Sequence, residues 1–286
     1  MTEYLVYDVF SDRPFAGNPL AVIPDASGLP EASLQKIARE FNFSETTFVF
    51  PPDAPEHHAR VRIFTPTQEI PFAGHPTIGT AVALSALGRI PAEAYLELGV
   101  GPIPVRVDGS RASFVTEVPL QTWDSMTVED VAVAAGLTPE DIRTDRHAPV
   151  IASVGLPFAV VELTDRETLA RAAPNAAAFQ AFRGFWPGST HFDLLIYVRN
   201  GNRIDARMFA PLDGVPEDPA TGSAACALAA YLGTLDGQSA TFDVRQGDDM
   251  GRPSRITAEV THEDGQHRSV RISGEATRVM AGRLTL

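Results

Sequence analysis

The sequence has very few thiols and amines. Cys226 is the only cysteine among 286 residues, so the chain cannot form an internal disulfide, hold zinc through several thiolates or use two thiols in catalysis. Lys36 is the only lysine among 23 basic residues, and it falls on the outward face of a helical pattern. A Schiff-base lysine, and with it pyridoxal phosphate chemistry, is therefore not expected.

The chain also lacks basic runs and long apolar runs. Its net charge is -13, and no cluster of Lys and Arg suits a phosphate backbone, so nucleic acid is not an expected partner. No apolar stretch approaches the ~20 residues of a membrane-spanning helix, so no membrane contact is expected. The first ten residues show no basic n-region followed by an apolar h-region, and the expected location is the cytoplasm.

A repeated segment organises what is present. Residues 64–87 and 209–232 both read as a short strand, a Phe-x-Pro turn, a glycine-containing corner and a helix of small apolar residues. A second matched pair, residues 17–23 and 155–161, precedes a helical pattern in each half. A repeat of this period indicates a duplicated domain and not a solenoid.

The offset between the copies changes along the chain. Phe64 matches Phe209 at an offset of 145, three residues are then inserted in the second copy, and the helix starts match at an offset of 148. The repeat predicts two domains, residues 1–118 and residues 119–276. The weakly alternating tail, residues 277–286, is predicted to return to the first domain as a strand.

Two segments of the second half lie outside the repeat. The alanine-rich residues 165–182 predict one helix. The loop that follows, residues 182–191, carries Trp186 and nearby aromatic side chains. It either covers the site or packs on the surface, and the sequence leaves both possibilities open.

The two glycine-containing corners are the candidate binding site. Helices that begin at Gly74-His75 and at Gly222-Ser223 present free backbone N–H groups and the positive end of a helix dipole. Two such ends facing one cleft would hold a small carboxylated metabolite. The alternative is that Gly, Ser and Thr221 only cap the helices, since Ser and Thr are favoured N-caps.

Three titratable residues accompany these corners. Glu45 begins a strand between Phe43 and Phe48, and aromatic surroundings would disfavour its charged form, which suits proton transfer. The alternative is a solvated residue at a sheet edge. His75 can shuttle a proton or bind a substrate and Asp218 can orient it, although a helix cap and an Asx turn explain these two residues equally well.

Five motifs follow one another along most of the chain. They are Asp8-x-Phe10 with Gly17-Asn18-Pro19-x-Ala21-Val22, Ala38-Arg39-Glu40-x-Asn42-x-Ser44-Glu45-x-Thr47-Phe48, Arg62-Ile63-Phe64-Thr65-Pro66-x-x-Glu69-x-Pro71-Phe72-Ala73-Gly74-His75-Pro76, Glu217-Asp218-x-Ala220-Thr221-Gly222-Ser223-Ala224, and Gln246-Gly247-x-x-x-Gly251-Arg252-Pro253-Ser254. Together these motifs make the sequence resemble the PhzF-like (phenazine-biosynthesis) proteins.

The resemblance implies the diaminopimelate-epimerase-like α+β fold. This fold has two pseudo-symmetric domains, each a curved, mostly antiparallel sheet wrapped around a central helix, with the site between the two helix N-termini. The resemblance also implies a homodimer and no cofactor, and no metal site is predicted. The implied family activity is isomerisation of a dihydro-hydroxyanthranilate, in which a glutamate moves a proton between ring carbons.

The resemblance also assigns roles to matching residues. Glu45 matches the acid/base glutamate that moves the proton. The predicted substrate-binding residues are His75, Asp218, Ser223, Gly74, Gly222, Thr221 and Asn18. Epimerases of this fold place a thiol at each helix start, where this chain has Ala73 and Thr221, so a single carboxylate is favoured over two-thiol inversion.

The leading prediction is a PhzF-like isomerase that moves a proton on a small carboxylated substrate through Glu45. A dehydratase or lyase would instead lose water after the same proton abstraction, and an epimerase would pair Glu45 with a non-thiol partner such as His75. A non-catalytic metabolite-binding protein is a further alternative, because a shared fold does not carry a shared activity. Glu45 lies outside the aligned copies, so the symmetry is predicted to serve binding and the asymmetry catalysis.

Overall fold

The computed structural model describes residues 2–124, 126–184, 192–263 and 265–285. Residues 185–191 of the loop predicted at residues 182–191, including Trp186, lie outside these described residues. No helix in the described part of the chain is long and apolar enough to cross a membrane.

Strands dominate the described residues. They are β1 (Thr2–Val9), β2 (Asn18–Ile23), β3 (Glu45–Phe50), β4 (Ala59–Phe64), β5 (Glu69–Ile70), β6 (Glu93–Leu98), β7 (Gly101–Asp108), β8 (Arg111–Thr116), β9 (Gln121–Asp124), β10 (Val150–Ser153), β11 (Pro157–Glu162), β12 (Leu194–Asn200), β13 (Arg203–Ala210), β14 (Val215–Asp218), β15 (Ala240–Gln246), β16 (Ser254–Glu263) and β17 (Gln266–Leu284). The α-helices are α1 (Glu31–Phe41), α2 (Gly74–Ala86), α3 (Val128–Ala135), α4 (Arg166–Arg171), α5 (Ala176–Ala181) and α6 (Gly222–Asp236).

The chain divides into two compact units. Unit 1 contains the residues up to Val115, Arg252–Arg255 and the stretch from Arg271 onward, and unit 2 contains Thr116–Gly251 and Ile256–Val270. Relative to the predicted domains, the division assigns Arg252–Arg255 and residues 271–276 to the first unit. The chain therefore leaves unit 2 at Gly251 and re-enters it at Ile256.

The C-terminal tail belongs to a longer strand than its weak alternation predicts. β17 runs without interruption from Gln266 to Leu284. It pairs antiparallel with β1, from Leu284 opposite Thr2 to Ala276 opposite Val9. Residues 277–284 of the predicted tail thus belong to a strand that pairs with the first strand of unit 1.

Each unit contains one helix that is buried almost all round. α2 buries Gly74 through Leu84 and packs against β1, β2, β3 and β7, while α6 packs against β10, β11 and β15. Small side chains allow this close approach, since a Cβ at Gly79 would lie 2.6 Å from side-chain atoms of both Val9 and Leu20. A helix that is apolar on all faces is stable only in such a core.

Strand pairings follow the same order in both units. In unit 1, β2 is parallel to β3, β3 is antiparallel to β4, and β4 is parallel to β6. In unit 2, β11 is parallel to β12, β12 is antiparallel to β13, and β13 is parallel to β15. The repeat in the sequence therefore extends to the sheet topology.

The prediction of one helix over residues 165–182 is wrong. Two short helices, α4 and α5, occupy this stretch, with Pro174 between them. Proline has no N–H to donate and disfavours helical backbone at the preceding residue, so the first helix cannot continue through it. Asn175 then caps α5 by accepting hydrogen bonds from the N–H groups of Ala177 and Ala178.

Candidate active site

The predicted site residues fall into two groups, one in each unit, and each group is described by itself. The unit 1 group consists of Asn18, Glu45, Gly74 and His75. The unit 2 group consists of Asp218, Thr221, Gly222 and Ser223.

Glu45 is the first residue of β3, which is paired on both sides. It lies opposite Leu20 in the parallel pairing of β2 and β3, and the following residues of β3 pair with β4. The Glu45 side chain is 15% exposed. Glu45 is therefore a half-buried residue of an internal strand, and the alternative of a solvated residue at a sheet edge does not hold.

His75 is the second residue of α2 and faces the Glu45 carboxylate. Its Nε2 atom lies 3.4 Å from Oε2 of Glu45, and its Nδ1 atom lies 3.3 Å from Nδ2 of Asn18. An amide NH₂ group can only donate, so Nδ1 accepts from Asn18 and the ring proton is on Nε2. Asn18 thus favours the tautomer that carries the proton on Nε2, the ring nitrogen that lies 3.4 Å from Glu45.

Burial keeps the His75 imidazole neutral. It lowers the pKa of His75 to about 3, and this effect outweighs the attraction of the carboxylate 3.4 Å away. A neutral imidazole binds and orients polar groups but does not supply a proton near neutral pH. No side chain of the described residues caps α2, so the capping role that the sequence left open for His75 is not observed.

An arginine from a distant part of the chain fixes the loop that precedes Asn18. Arg252 donates to the Asp8 carboxylate over 2.7 Å and to the carbonyl oxygens of Ala16 and Gly17 over 2.9 and 2.8 Å. The other Asp8 oxygen accepts from the N–H of Phe15 over 2.6 Å. Arg252 belongs to one of the sequence motifs, but no local pattern indicates this role.

A second network holds the start of α6 in unit 2. The Thr221 hydroxyl donates to Oδ2 of Asp218 over 2.5 Å, and the Thr221 side chain does not cap α6. Gln246 donates to the Asp218 carbonyl over 2.7 Å and to the Thr221 hydroxyl over 3.1 Å, and accepts from the Thr221 N–H over 3.3 Å. Gln246 is therefore a structural residue of this group that sequence reasoning missed.

The remaining residues near the start of α6 divide into two kinds. Ser223 is the second residue of the helix, in the position that corresponds to His75, and is half-buried. Cys226 is fully buried one turn later, and burial raises the pKa of its thiol. Such a thiol stays protonated and unreactive, so Cys226 is not a nucleophile.

Sequence reasoning also missed Asp193, which lies directly before β12. Burial, followed by the negative charges of Asp213 and Asp218, raises the pKa of Asp193 well above its usual range. Its Oδ1 atom is buried and has no hydrogen-bond partner among the described residues. This environment favours the protonated carboxyl.

Metal binding by side-chain clusters receives no support from the part of the chain described. In that part, no group of three or more His, Cys, Asp and Glu residues is arranged to hold a metal ion.

Comparison of the sequence with known proteins identifies its relatives. The family model of phenazine biosynthesis-like proteins matches residues 7–282. A protein of Mesorhizobium japonicum named as an uncharacterized isomerase is 39% identical, over 99% of this chain and 98% of the relative. The trans-2,3-dihydro-3-hydroxyanthranilate isomerase of Pseudomonas fluorescens is 35% identical over the full length of both chains. These names confirm the predicted isomerase class.

Solved structures agree with the sequence comparison. A PhzF-family phenazine biosynthesis protein of Bacillus anthracis matches with a TM-score of 0.89 and 26% identity, over 100% of this chain and 99% of the other. A hydroxyproline epimerase of Agrobacterium vitis matches with a TM-score of 0.65 over 98% and 91% of the chains, and its 13% identity makes this a likeness of fold alone. The fold is thus that of PhzF proteins and related epimerases, and the chain belongs to the phenazine biosynthesis-like protein family.

Proposed function

We propose that this protein is an isomerase in which Glu45 moves a proton on a small carboxylated substrate. Glu45 removes a proton from an acidified carbon and returns it at another carbon of the same molecule. Because the same carboxyl removes and returns the proton, the substrate and product have the same mass. The relatives named as isomerases support this reaction class.

The observation that carries the proposal is the contact of Glu45 with the neutral ring of His75. The Glu45 carboxylate is half-buried and lies 3.4 Å from Nε2 of His75. Because the buried imidazole does not take up a second proton near neutral pH, it does not compete with Glu45 for the substrate's proton, and Glu45 remains available as a base. Asn18 is buried and contacts the other ring nitrogen, and this contact keeps that N–H in place. In the proposed mechanism, one base therefore acts beside one fixed donor.

Backbone N–H groups supply the second element of the proposal. Gly74 begins α2 and Gly222 begins α6, and no side chain caps either helix among the described residues. Free N–H groups at a helix start stabilise a carboxylate and the negative charge that develops during proton abstraction. We assign carboxylate binding to these two helix starts.

The unit 2 group is assigned to substrate binding. Asp218 is fixed through Thr221 and Gln246, so its carboxylate can accept from an amine or hydroxyl of the substrate without reorganisation. Ser223 contributes a hydroxyl on the first turn of α6. The proposal further includes the two-domain epimerase-type arrangement, a homodimer and a reaction without cofactor, and sedimentation of the purified protein tests the dimer.

The neutral state of His75 argues against the epimerase alternative. Two-base inversion needs a second group that donates a proton to the opposite face, and an imidazole with a pKa of about 3 carries no spare proton near neutral pH. A dehydratase remains separable by mass, because its product is one water lighter. A binding protein remains separable because it exchanges no carbon-bound proton with solvent.

The experiment compares wild type with Glu45→Gln in deuterated water. The probe is trans-2,3-dihydro-3-hydroxyanthranilate, the substrate named for the Pseudomonas fluorescens relative. We expect an isomeric product that carries deuterium wherever the proton held on Glu45 exchanges with solvent before its return, and a loss of kcat by about 10²- to 10⁴-fold in the variant.

Glu93→Gln provides the matched control. Glu93 is also the first residue of a strand, β6, but its side chain is exposed, so this change should leave kcat unchanged. Full activity of Glu45→Gln contradicts the proposal. Binding of the probe by wild type with neither conversion to an isomer nor proton exchange contradicts it as well.

A further inference from the structure

One carboxyl of unit 2 occupies the position in the repeat that Glu45 occupies in unit 1. The residue after Glu45 pairs with Phe64 in the antiparallel pairing of β3 and β4. The residue after Asp193 pairs with Phe209 in the antiparallel pairing of β12 and β13. Phe64 and Phe209 are matched residues of the repeat, so the strand register makes Asp193 the counterpart of Glu45.

The parallel pairings on the other side of these strands give the same match. The residue after Glu45 pairs with Ala21 of β2, and the residue after Asp193 pairs with Ala159 of β11. Ala21 and Ala159 occupy the same position in the second matched pair of sequence segments. Two independent registers therefore agree. The sequence alignment predicted that Glu45 lies outside the repeat, and the strand register shows that this prediction is wrong.

The two carboxyls have different surroundings. Glu45 has the N–H of a neutral histidine as its neighbour. Asp193 has a buried Oδ1 atom without a hydrogen-bond partner among the described residues. Among the described residues, the charged groups that raise its pKa are both acids, Asp213 in the turn after β13 and Asp218 at the end of β14. Burial and these charges favour the protonated form of Asp193.

We propose that Asp193 is a second carboxyl of the active site and donates a hydrogen bond to the negative charge that forms on the substrate when Glu45 removes a proton. This assignment rests on the function proposed above. Glu45 takes the proton from one carbon and returns it to another, while Asp193 keeps its own proton throughout. The cycle therefore closes with both carboxyls in their starting states.

The chemistry of the donor explains why an acid is suited to this place. A carboxylic acid held neutral by burial is a strong hydrogen-bond donor, and it acts where charge develops without reorganising. A carboxyl that acts as the base and a second carboxyl that is held protonated can divide the work of base and donor between them. The repeat supplies this pair, because a residue at one topological position recurs in the other unit.

The test uses three variants of the full chain with trans-2,3-dihydro-3-hydroxyanthranilate as substrate. Asp193→Ala removes the donor and should lower kcat by about 10²- to 10³-fold. Asp193→Asn replaces the hydroxyl with an amide N–H that does not ionise. It should retain more activity than Asp193→Ala and should lack the fall in kcat that wild type shows as rising pH ionises Asp193.

Asp213→Asn separates this role from a structural one. The change removes a negative charge that favours the protonated form of Asp193, so the fall in kcat should move to lower pH, with kcat at low pH unchanged. Thermal melting confirms that each variant is folded at the assay temperature. Wild-type kcat in Asp193→Ala, or an unchanged pH profile in Asp193→Asn, overturns the proposal.

These outcomes are distinguishable from failure of the proposed function. If Glu45→Gln remains fully active, the assignment of the base is wrong, whatever Asp193 does. If Glu45→Gln is inactive and the Asp193 variants behave as wild type, only the second carboxyl is wrong.

Discussion

The buried neutral His75 makes the stability of this protein depend on pH in a calculable way. In the folded chain, burial lowers the pKa of His75 to about 3, whereas an unfolded chain has a histidine pKa of about 6.5. Above pH 6.5 the ring is neutral in both states, and its contribution to stability is fully present. Below pH 6.5 only the unfolded chain takes up the proton, so the free energy of unfolding falls.

The magnitude follows from the separation of the two pKa values. One proton taken up by the unfolded state alone changes the free energy of unfolding by ~1.36 kcal/mol per pH unit. Between pH 8 and pH 4.5 the loss attributable to His75 is therefore about 2–3 kcal/mol. This is a large fraction of the ~5–15 kcal/mol that stabilises a typical protein.

The assay is urea unfolding of wild type and His75→Asn at a series of pH values from 8 to 4.5. All other titratable groups are shared, so the difference between the two curves isolates His75. We expect the difference to change by about 2–3 kcal/mol over this range, with wild type losing more stability at low pH. Parallel curves would refute the reasoning, as would ¹⁵N spectra that show His75 charged in the folded protein at pH 5.

Three further predictions follow from single contacts. Arg252→Gln should lower kcat by on the order of tenfold or more, because it frees the loop before Asn18. The control Arg207→Gln also loses a carboxylate partner and several carbonyl partners, but it should lower only the melting temperature. Gly136 and Gly237 both follow the end of a helix with positive φ, but only a Cβ at Gly136 would meet a backbone carbonyl, at 2.8 Å. In urea unfolding, Gly136→Ala should therefore lower the free energy of unfolding by on the order of 1–2 kcal/mol more than Gly237→Ala does. Cys226 should not react with iodoacetamide at pH 8 until the chain is unfolded, and labelling of the native protein would contradict its burial.

Much of the unit 1 group could be found from the sequence because its residues lie at the ends of regular elements. Asn18 begins β2, Glu45 begins β3 and His75 is in the first turn of α2. Apolar patterns and glycine corners locate such ends locally. The same local signals failed at Pro174, where helical alanine periodicity outweighed the break that a proline imposes.

Residues that act through distant partners could not be found in this way. Asn18 and His75 are 57 residues apart, and Asp8 and Arg252 are 244 residues apart, so no local pattern links either pair. Gln246, at the end of β15, likewise holds Thr221 at the start of α6, 25 residues away. Only folding brings these donors and acceptors into contact.

The sequence by itself determined the duplication, the two central helices and the chemical types available at their starts, because periodicity and composition encode local structure. Tertiary structure decided the protonation states and the pairing, because these depend on burial and strand register. Burial makes His75 neutral and favours a protonated Asp193. Strand register makes Asp193 the counterpart of Glu45. Sequence alignment alone could not show this, because the match between two separate strands becomes clear only when their hydrogen-bonded partners are known.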